Sequence, residues 1–78
     1  MKEKINEIWE ELRVTIRGLR RDLREKVAED IDLDSEGGIV QTITKYKQIA
    51  DTAIEICNSL EGLFWVNKLR KEEKYDKD

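Results

Sequence analysis

The sequence predicts an all-α fold: two long antiparallel helices that form a helical hairpin and associate into a helix-bundle oligomer. Charged residues make up 42% of the 78-residue chain and proline is absent, a composition typical of long helices. Apolar residues recur at alternating spacings of four and three, the repeat of packed helices. One acidic, glycine-containing stretch interrupts that repeat. We therefore expect a single helical domain over 1–78, with a helix over about 2–29, a turn over 30–38, a helix over about 39–71 and a charged tail over 72–78.

The first helix is indicated by an apolar seam that keeps the heptad repeat for three heptads. The seam residues are Ile5, Trp9, Leu12, Ile16, Leu19 and Leu23. Val27 continues the seam, and Ile8 widens it near the start. Gly18 lies beside it and costs a helix up to about 1 kcal/mol relative to alanine, so its position suggests close approach of another helix.

The segment from Asp30 to Gly38 has the composition of a turn, with Asp34 or Ser35 expected to cap the second helix. Its aspartates at 30, 32 and 34 have the spacing of an EF-hand calcium loop. However, Ser35 stands where that loop needs glycine, and Gln41 stands where it needs glutamate. We therefore interpret the segment as a solvated capping turn, and we expect no metal and no cofactor.

The second helix is indicated by two neighbouring apolar stripes, which together make a face broad enough for two neighbouring helices. The first, which we call the α2 stripe, comprises Ile39, Ile43, Tyr46, Ala50, Ala53, Cys57, Leu60 and Phe64. The second comprises Ile49, Ala53, Ile56, Leu60 and Leu63. Asn58 followed by Glu61 resembles a capping box, with Gly62 next, so a helix break near Asn58 is an alternative.

The run from Leu60 to Val66 favours self-association, because its apolar side chains point almost all round a helix. A turn centred near residue 33 would set residue i opposite about residue 66 minus i, which brings Ile8 and Trp9 close to this run. A small chain can bury such a run only against other molecules. The expected oligomer interface comprises Ile5, Trp9, Leu12, Ile16, Leu60, Leu63, Phe64 and Trp65.

Four arginines follow one face of the first helix, and we call them the arginine row. They are Arg13, Arg17, Arg20 and Arg24. Like charges at this spacing destabilise a helix by about 0.2–0.5 kcal/mol per pair, so something must compensate. One interpretation is pairing with Asp51 and Glu55 across the hairpin, with Asp22 and Glu25 as local partners. A second interpretation is an anionic nucleotide, with Trp9 or Trp65 stacking on its base. The remaining two are an acidic protein partner and nucleic acid, although the net charge of −3 argues against nucleic acid.

Enzymatic chemistry has little support in the sequence. Histidine is absent, which excludes Cys–His and Ser–His catalysis and histidine-containing metal sites, and Cys57 is the only cysteine. No run is long enough to span a membrane, and the charged N-terminus does not resemble a signal peptide. We expect a cytoplasmic, non-enzymatic protein without membrane contact.

The run Glu61-Gly62-Leu63-Phe64-Trp65-Val66-Asn67 resembles a Glu-small-apolar-apolar-Trp-small-Asn run in phage anti-CBASS sponges. The resemblance covers these seven residues, and the distance from Ser35 to Trp65 is longer than the second helix of that family. Those proteins sequester cyclic nucleotide signals as helical-hairpin oligomers. The resemblance implies an anti-defence phage protein that binds a cyclic nucleotide without catalysis, with Trp65 and Asn67 as ligand-binding residues.

The sequence as a whole favours a small oligomeric regulator or inhibitor that acts by binding a partner, of a kind that a phage or mobile element could encode. The first alternative is sequestration of a nucleotide or cyclic nucleotide through the arginine row and an aromatic ring. The second alternative is nucleic-acid binding by the arginine row.

Overall fold

A computed structural model gives two helices, α1 over Lys2–Ala28 and α2 over Glu36–Tyr75, which pack side by side as a helical hairpin. The structure describes residues 2–75, and the side chains of residues 3–72. The predicted all-α hairpin is confirmed. The first helix ends one residue earlier than predicted, and the second begins three residues earlier. Residues 72–75 of the predicted tail are helical, and 76–78 lie outside the described residues.

The alternative of a break near Asn58 is wrong, because α2 runs without interruption through Asn58 and Gly62. The Asn58–Glu61 spacing alone does not stop a helix when the residues on both sides continue to pack. Ser59, Leu63 and Val66, which lie on either side of Gly62, are all half-buried. Packing of this face therefore outweighs the local capping signal.

The α1 contact face is the predicted seam. Ile16 at its centre is 8% exposed, and the other seam residues are half-buried. The heptad spacing keeps these side chains on one side of α1, so that α1 contacts α2 along most of the length of α1. Ile16 is nevertheless the only buried large apolar side chain in the part of the chain that the structure describes.

The α2 contact face differs from the main stripe that the sequence suggested. Its half-buried residues alternate at spacings of three and four, and they are Thr42, Lys45, Ile49, Thr52, Ile56, Ser59, Leu63, Val66 and Arg70. Three of them, Ile49, Ile56 and Leu63, belong to the second predicted stripe. All the other positions except Val66 are polar, which is why apolar periodicity favoured the neighbouring face.

The turn is organised by Ser35 and Asp32. Ser35 caps α2, since its Oγ accepts a hydrogen bond from Gly38 N–H at 3.0 Å. The Asp32 carboxylate accepts hydrogen bonds from Asp34 N–H at 2.9 Å and from Ser35 Oγ–H at 2.7 Å. These two bonds lower the pKa of Asp32, the backbone bond having the larger effect. Gly38 is buried against Asp32, so the turn folds back along the first turn of α2.

The register of the two helices is shifted by about eight residues from the prediction. Leu12 lies level with Gly62, and Lys45 Nζ pairs with Glu29 Oε1 at 2.9 Å, so facing residue numbers add to 74 instead of 66. The prediction assumed a tight turn. Instead, residues 29–35 run beside the first turns of α2, which therefore pass beyond the end of α1. At about 1.5 Å per residue, the shift is about 12 Å.

Candidate functional site

The α2 stripe is an extended exposed apolar surface of the hairpin. All eight of its residues are exposed, from Ile39 at one end to Phe64 at the other. Its spacing of four and three is that of a helix-packing seam, yet no part of α1 covers it. The stripe lies about a third of a turn round α2 from the face that contacts α1. A helix with two packing faces at this angle is typical of a helix bundle.

The arginine row lies on α1, with Arg13 half-buried and Arg17, Arg20 and Arg24 exposed. Arg13 Nη1 forms a salt bridge with Glu10 Oε1 at 2.8 Å within the same helix. Among the residues that the structure describes, the other three form no salt bridge.

Pairing of the arginine row with Asp51 and Glu55, one of the sequence interpretations, is wrong. Both of the salt bridges found in residues 3–72 involve other acids, namely Glu10 and Glu29. The corrected register sets Asp51 level with residue 23 instead of Arg17. In addition, Asp51 and Glu55 immediately precede the contact residues Thr52 and Ile56, so they lie about a third of a turn from the contact face, on the flank of α2 opposite the stripe.

The arginine row and the α2 stripe share one side of the hairpin. On each helix these residues lie about a third of a turn from the face that contacts the other helix, and the rotation has the same sense on both helices. In an antiparallel pair, equal senses of rotation lead to the same side. One contact agrees with this assignment: Asn6, one heptad before Arg13, accepts a hydrogen bond at 3.1 Å from Arg70 Nε, on the side of α2 that leads to the stripe.

The aromatic residues form two separate groups. Trp9 lies between the helices, where its ring centroid is 4.3 Å from the Arg70 guanidinium carbon and 5.8 Å from that of Arg13. Phe64 and Trp65 form an edge-to-face pair with centroids 5.5 Å apart, and Lys68 Nζ lies 5.0 Å from both centroids. In both groups a cation of the same chain already lies near the ring face.

The residues predicted to bind a ligand are only partly brought together. Trp65 is level with residue 9, so only Arg13 of the arginine row lies within about one helical turn of that level. Arg24 lies about 22 Å along the hairpin axis from the level of Trp65. Asn67 is half-buried on the hairpin, and Trp65 is 61% exposed on α2. One ligand of nucleotide size would therefore contact part of the predicted set.

The predicted interface residues fall into two classes. Ile5, Trp9, Leu12, Ile16 and Leu63 pack within one chain. Leu60, Phe64 and Trp65 are exposed and open to another molecule. A shallow groove of about 260 Å³, lined by Arg20, Leu23, Arg24 and Val27, follows the surface of α1.

One charge feature was not singled out from the sequence. The start of α1 is acidic on the side where the arginines follow, with Glu3 and Glu10 in the same heptad column as Arg17 and Arg24. The sequence carries this signal as a seven-residue spacing, which becomes apparent only when the acidic and basic residues of one column are considered together.

Comparison with protein-family models, with curated proteins and with solved structures finds no match to this chain. The resemblance of Glu61–Asn67 to anti-CBASS sponges therefore stays a prediction. Within residues 2–75, neither helix combines the length and the apolar character that crossing a membrane requires.

Proposed function

We propose that this chain is a small non-enzymatic interaction protein that works as a homo-oligomeric helix bundle, and that it acts as a regulator or inhibitor by occupying a partner's surface. The observation that carries the proposal is the contrast between its core and its surface. One large apolar side chain, Ile16, is buried in the described chain, while the whole α2 stripe is exposed. A single core in a chain of this size rarely stabilises a fold by more than about 3–5 kcal/mol, and association is a common remedy.

The α2 stripe is the surface that we assign to self-association. Its heptad spacing matches what a second helix needs, and its exposed residues include Ile43, Leu60 and Phe64. A contiguous exposed apolar face of this kind marks an interaction site in proteins that remain in solution. Burying its Leu60–Phe64 end against a second copy adds apolar area that the isolated hairpin lacks.

Size-exclusion chromatography with light scattering tests this proposal. We expect the unmodified protein to be a dimer or larger at micromolar concentration. The substitution Phe64→Gln removes a 55% exposed ring from the stripe and should shift the protein toward monomer. Val14→Gln is the matched control, because Val14 is 60% exposed on the outer side of α1 and should leave the mass unchanged. A stable, folded monomer of the unmodified chain would disprove the proposal.

A second candidate function is binding of a small anionic ligand, such as a nucleotide or cyclic nucleotide, by the arginine row. The exposure of Arg17, Arg20 and Arg24, without salt bridges in the described residues, supports this candidate. A guanidinium group suits phosphate oxygens because it donates two parallel hydrogen bonds.

Thermal unfolding in the presence of mono-, di- and cyclic nucleotides tests the second candidate. A ligand at about 100 times its dissociation constant stabilises the folded state by about 2.7 kcal/mol. The stabilisation should disappear in the variant Arg17→Gln/Arg20→Gln and persist in Lys47→Gln on α2. If no nucleotide raises Tm, this candidate is rejected.

A further inference from the structure

We infer that two copies of this chain pair across a two-fold axis that passes near Arg13 on α1 and Gly62 on α2, with the acidic start of each α1 facing the arginines of the other. The inference rests on the proposed self-association and specifies its geometry. Two features of the hairpin agree on this axis, the charge order of α1 and the exposed apolar end of α2, because the packing of the two helices places their centres at the same level.

The charge order of α1 is complementary to itself when two copies run antiparallel. One heptad column of α1 reads Glu3, Glu10, Arg17, Arg24. If residue i faces residue 27 minus i, Glu3 lies opposite Arg24 of the second copy, and Glu10 lies opposite Arg17 of the second copy. A two-fold axis repeats each contact, so the column makes four opposite-charge pairs and no like-charge pair. In a parallel arrangement, each charged residue would face the same residue of the second copy, so that like charges would meet.

The neighbouring positions agree with the same axis. In the adjacent heptad column, Glu7 falls beside Arg21 of the second copy. Arg13 is the one arginine that approaches its own copy at the axis, and it is also the one already held by Glu10 at 2.8 Å within its helix. Three of the four arginines of the row, Arg13, Arg17 and Arg24, therefore have partners among the acids that precede them in the sequence.

The apolar end of α2 has its own centre at the same level. Two α2 helices that run antiparallel with Leu60 facing Phe64 of the second copy are centred on residue 62. The charge column of α1 is centred between residues 13 and 14. Leu12 lies against Gly62, with 3.8 Å between its Cδ1 and the position of a Cβ there, so the two centres coincide to within about two residues. One axis therefore satisfies both helices.

The size of the contact also favours this arrangement. Overlap about this axis spans roughly 25 residues of each helix, or about 38 Å, and two helices are about 20 Å wide. This gives about 750 Å² for each copy, close to the standard interface of about 800 Å² per partner. Contact through α2 alone would bury about half as much, which is the size of a lattice contact. The arrangement also covers Leu60 and Phe64 while leaving Ile39, Ile43 and Tyr46 uncovered.

Charge reversal tests the inference at constant net charge. In Glu10→Lys/Arg17→Glu, the exchanged charges face each other again across the axis. In the control Glu10→Lys/Arg24→Glu, the new lysine faces Arg17, and Glu3 faces the new glutamate. Each double variant keeps the net charge of −3, since one substitution adds two charges and the other removes two. Both also lose the Glu10–Arg13 salt bridge, so that loss cancels in the comparison.

Analytical ultracentrifugation at low salt measures the outcome. We expect the matched variant to dimerise within about threefold of the unmodified protein and the mismatched variant to dimerise at least about tenfold more weakly, a difference of about 1.4 kcal/mol. Equal affinities of the two variants would overturn the inference and leave the proposed function standing. A monomeric unmodified protein would overturn both. Equal affinities together with nucleotide-induced stabilisation would assign the arginine row to an anionic ligand.

Disulfide trapping gives a second, independent readout of the axis, using the exposed native thiol of Cys57. With the axis near residue 62, Cys57 faces Asn67 of the second copy. Within one helix these positions are about 15 Å apart, too far for a disulfide, so a bond in Asn67→Cys forms only between copies. We expect Asn67→Cys to oxidise to a covalent dimer and Tyr46→Cys to remain uncrosslinked. Crosslinking of Tyr46→Cys alone would centre the pairing on residues 51–52 and overturn the inference.

Discussion

At the residue scale, Gly38 is the position where the turn leaves no room for a side chain. The φ angles of the described glycines are all negative, so the requirement is steric and does not come from a left-handed backbone. A Cβ at Gly38 would overlap both the carboxylate and the backbone carbonyl of Asp32. At the neighbouring Gly37, a Cβ would meet nothing within 4 Å. Two adjacent glycines therefore have opposite roles.

This contrast predicts opposite effects of two adjacent substitutions. Gly38→Ala should lower the free energy of unfolding by about 1–3 kcal/mol, because the turn must move and the Ser35 cap is disturbed. Gly37→Ala should raise it by up to about 1 kcal/mol, because alanine loses less conformational entropy in a helix. Urea unfolding followed by circular dichroism measures both. Destabilisation of equal size in the two variants would contradict the tight packing of Asp32 on Gly38.

The pKa of Asp32 predicts a loss of stability in acid. Its pKa is lowered in the folded state by the Asp34 N–H and then by the Ser35 hydroxyl, so the unfolded chain binds the proton more readily. The resulting stabilisation is present above the ordinary carboxyl pKa and is lost as the pH falls below about 4. We expect Tm to fall less steeply with acid in Asp32→Asn than in Asp30→Asn. Identical acid profiles would show that the Asp32 bonds do not form in solution.

At the scale of the elements, the α1 seam has a clear centre at Ile16. Ile16→Ala should lower the free energy of unfolding by about 2 kcal/mol or more, because it leaves a cavity between the helices. Val14→Ala, two residues away and 60% exposed, should change it by less than about 0.5 kcal/mol. Thermal or urea unfolding distinguishes the two. Comparable losses in both variants would mean that α1 presents a different face to α2.

The same elements show how far the sequence predicts the fold and the site. The α1 seam was predictable because Ile5 to Leu23 form one stripe with no competitor. The α2 contact face was not, because Ile49, Ile56 and Leu63 alternate with polar residues, while a more apolar stripe lies beside them. The register was missed because heptad spacing is unchanged by a shift of about two turns. The arginine row itself was predictable from the sequence. That it has no acidic partner on α2 was not, because this depends on the register of the two helices.

At the scale of the whole molecule, the hairpin is 66 Å long and 13–14 Å in its other dimensions. Such a rod has a large surface for its volume and a single buried apolar residue in the described part. Its stability should therefore depend on association, so that Tm rises with protein concentration. We expect a rise of several degrees between about 5 μM and about 500 μM in circular dichroism. Superimposable melting curves over this range would show that one copy folds by itself.

The offset between the helices also divides the molecule along its axis. From Glu36 to about Lys45, α2 has only residues 29–35 beside it, whereas from Ile49 onward it lies against α1. Backbone amides that are held by fewer neighbours open more often and exchange their hydrogen for deuterium sooner. In heavy water, deuterium labelling should therefore begin at the loop end of α2 and proceed toward Leu63. One continuous helix would then contain a rapidly exchanging first part and a protected second part.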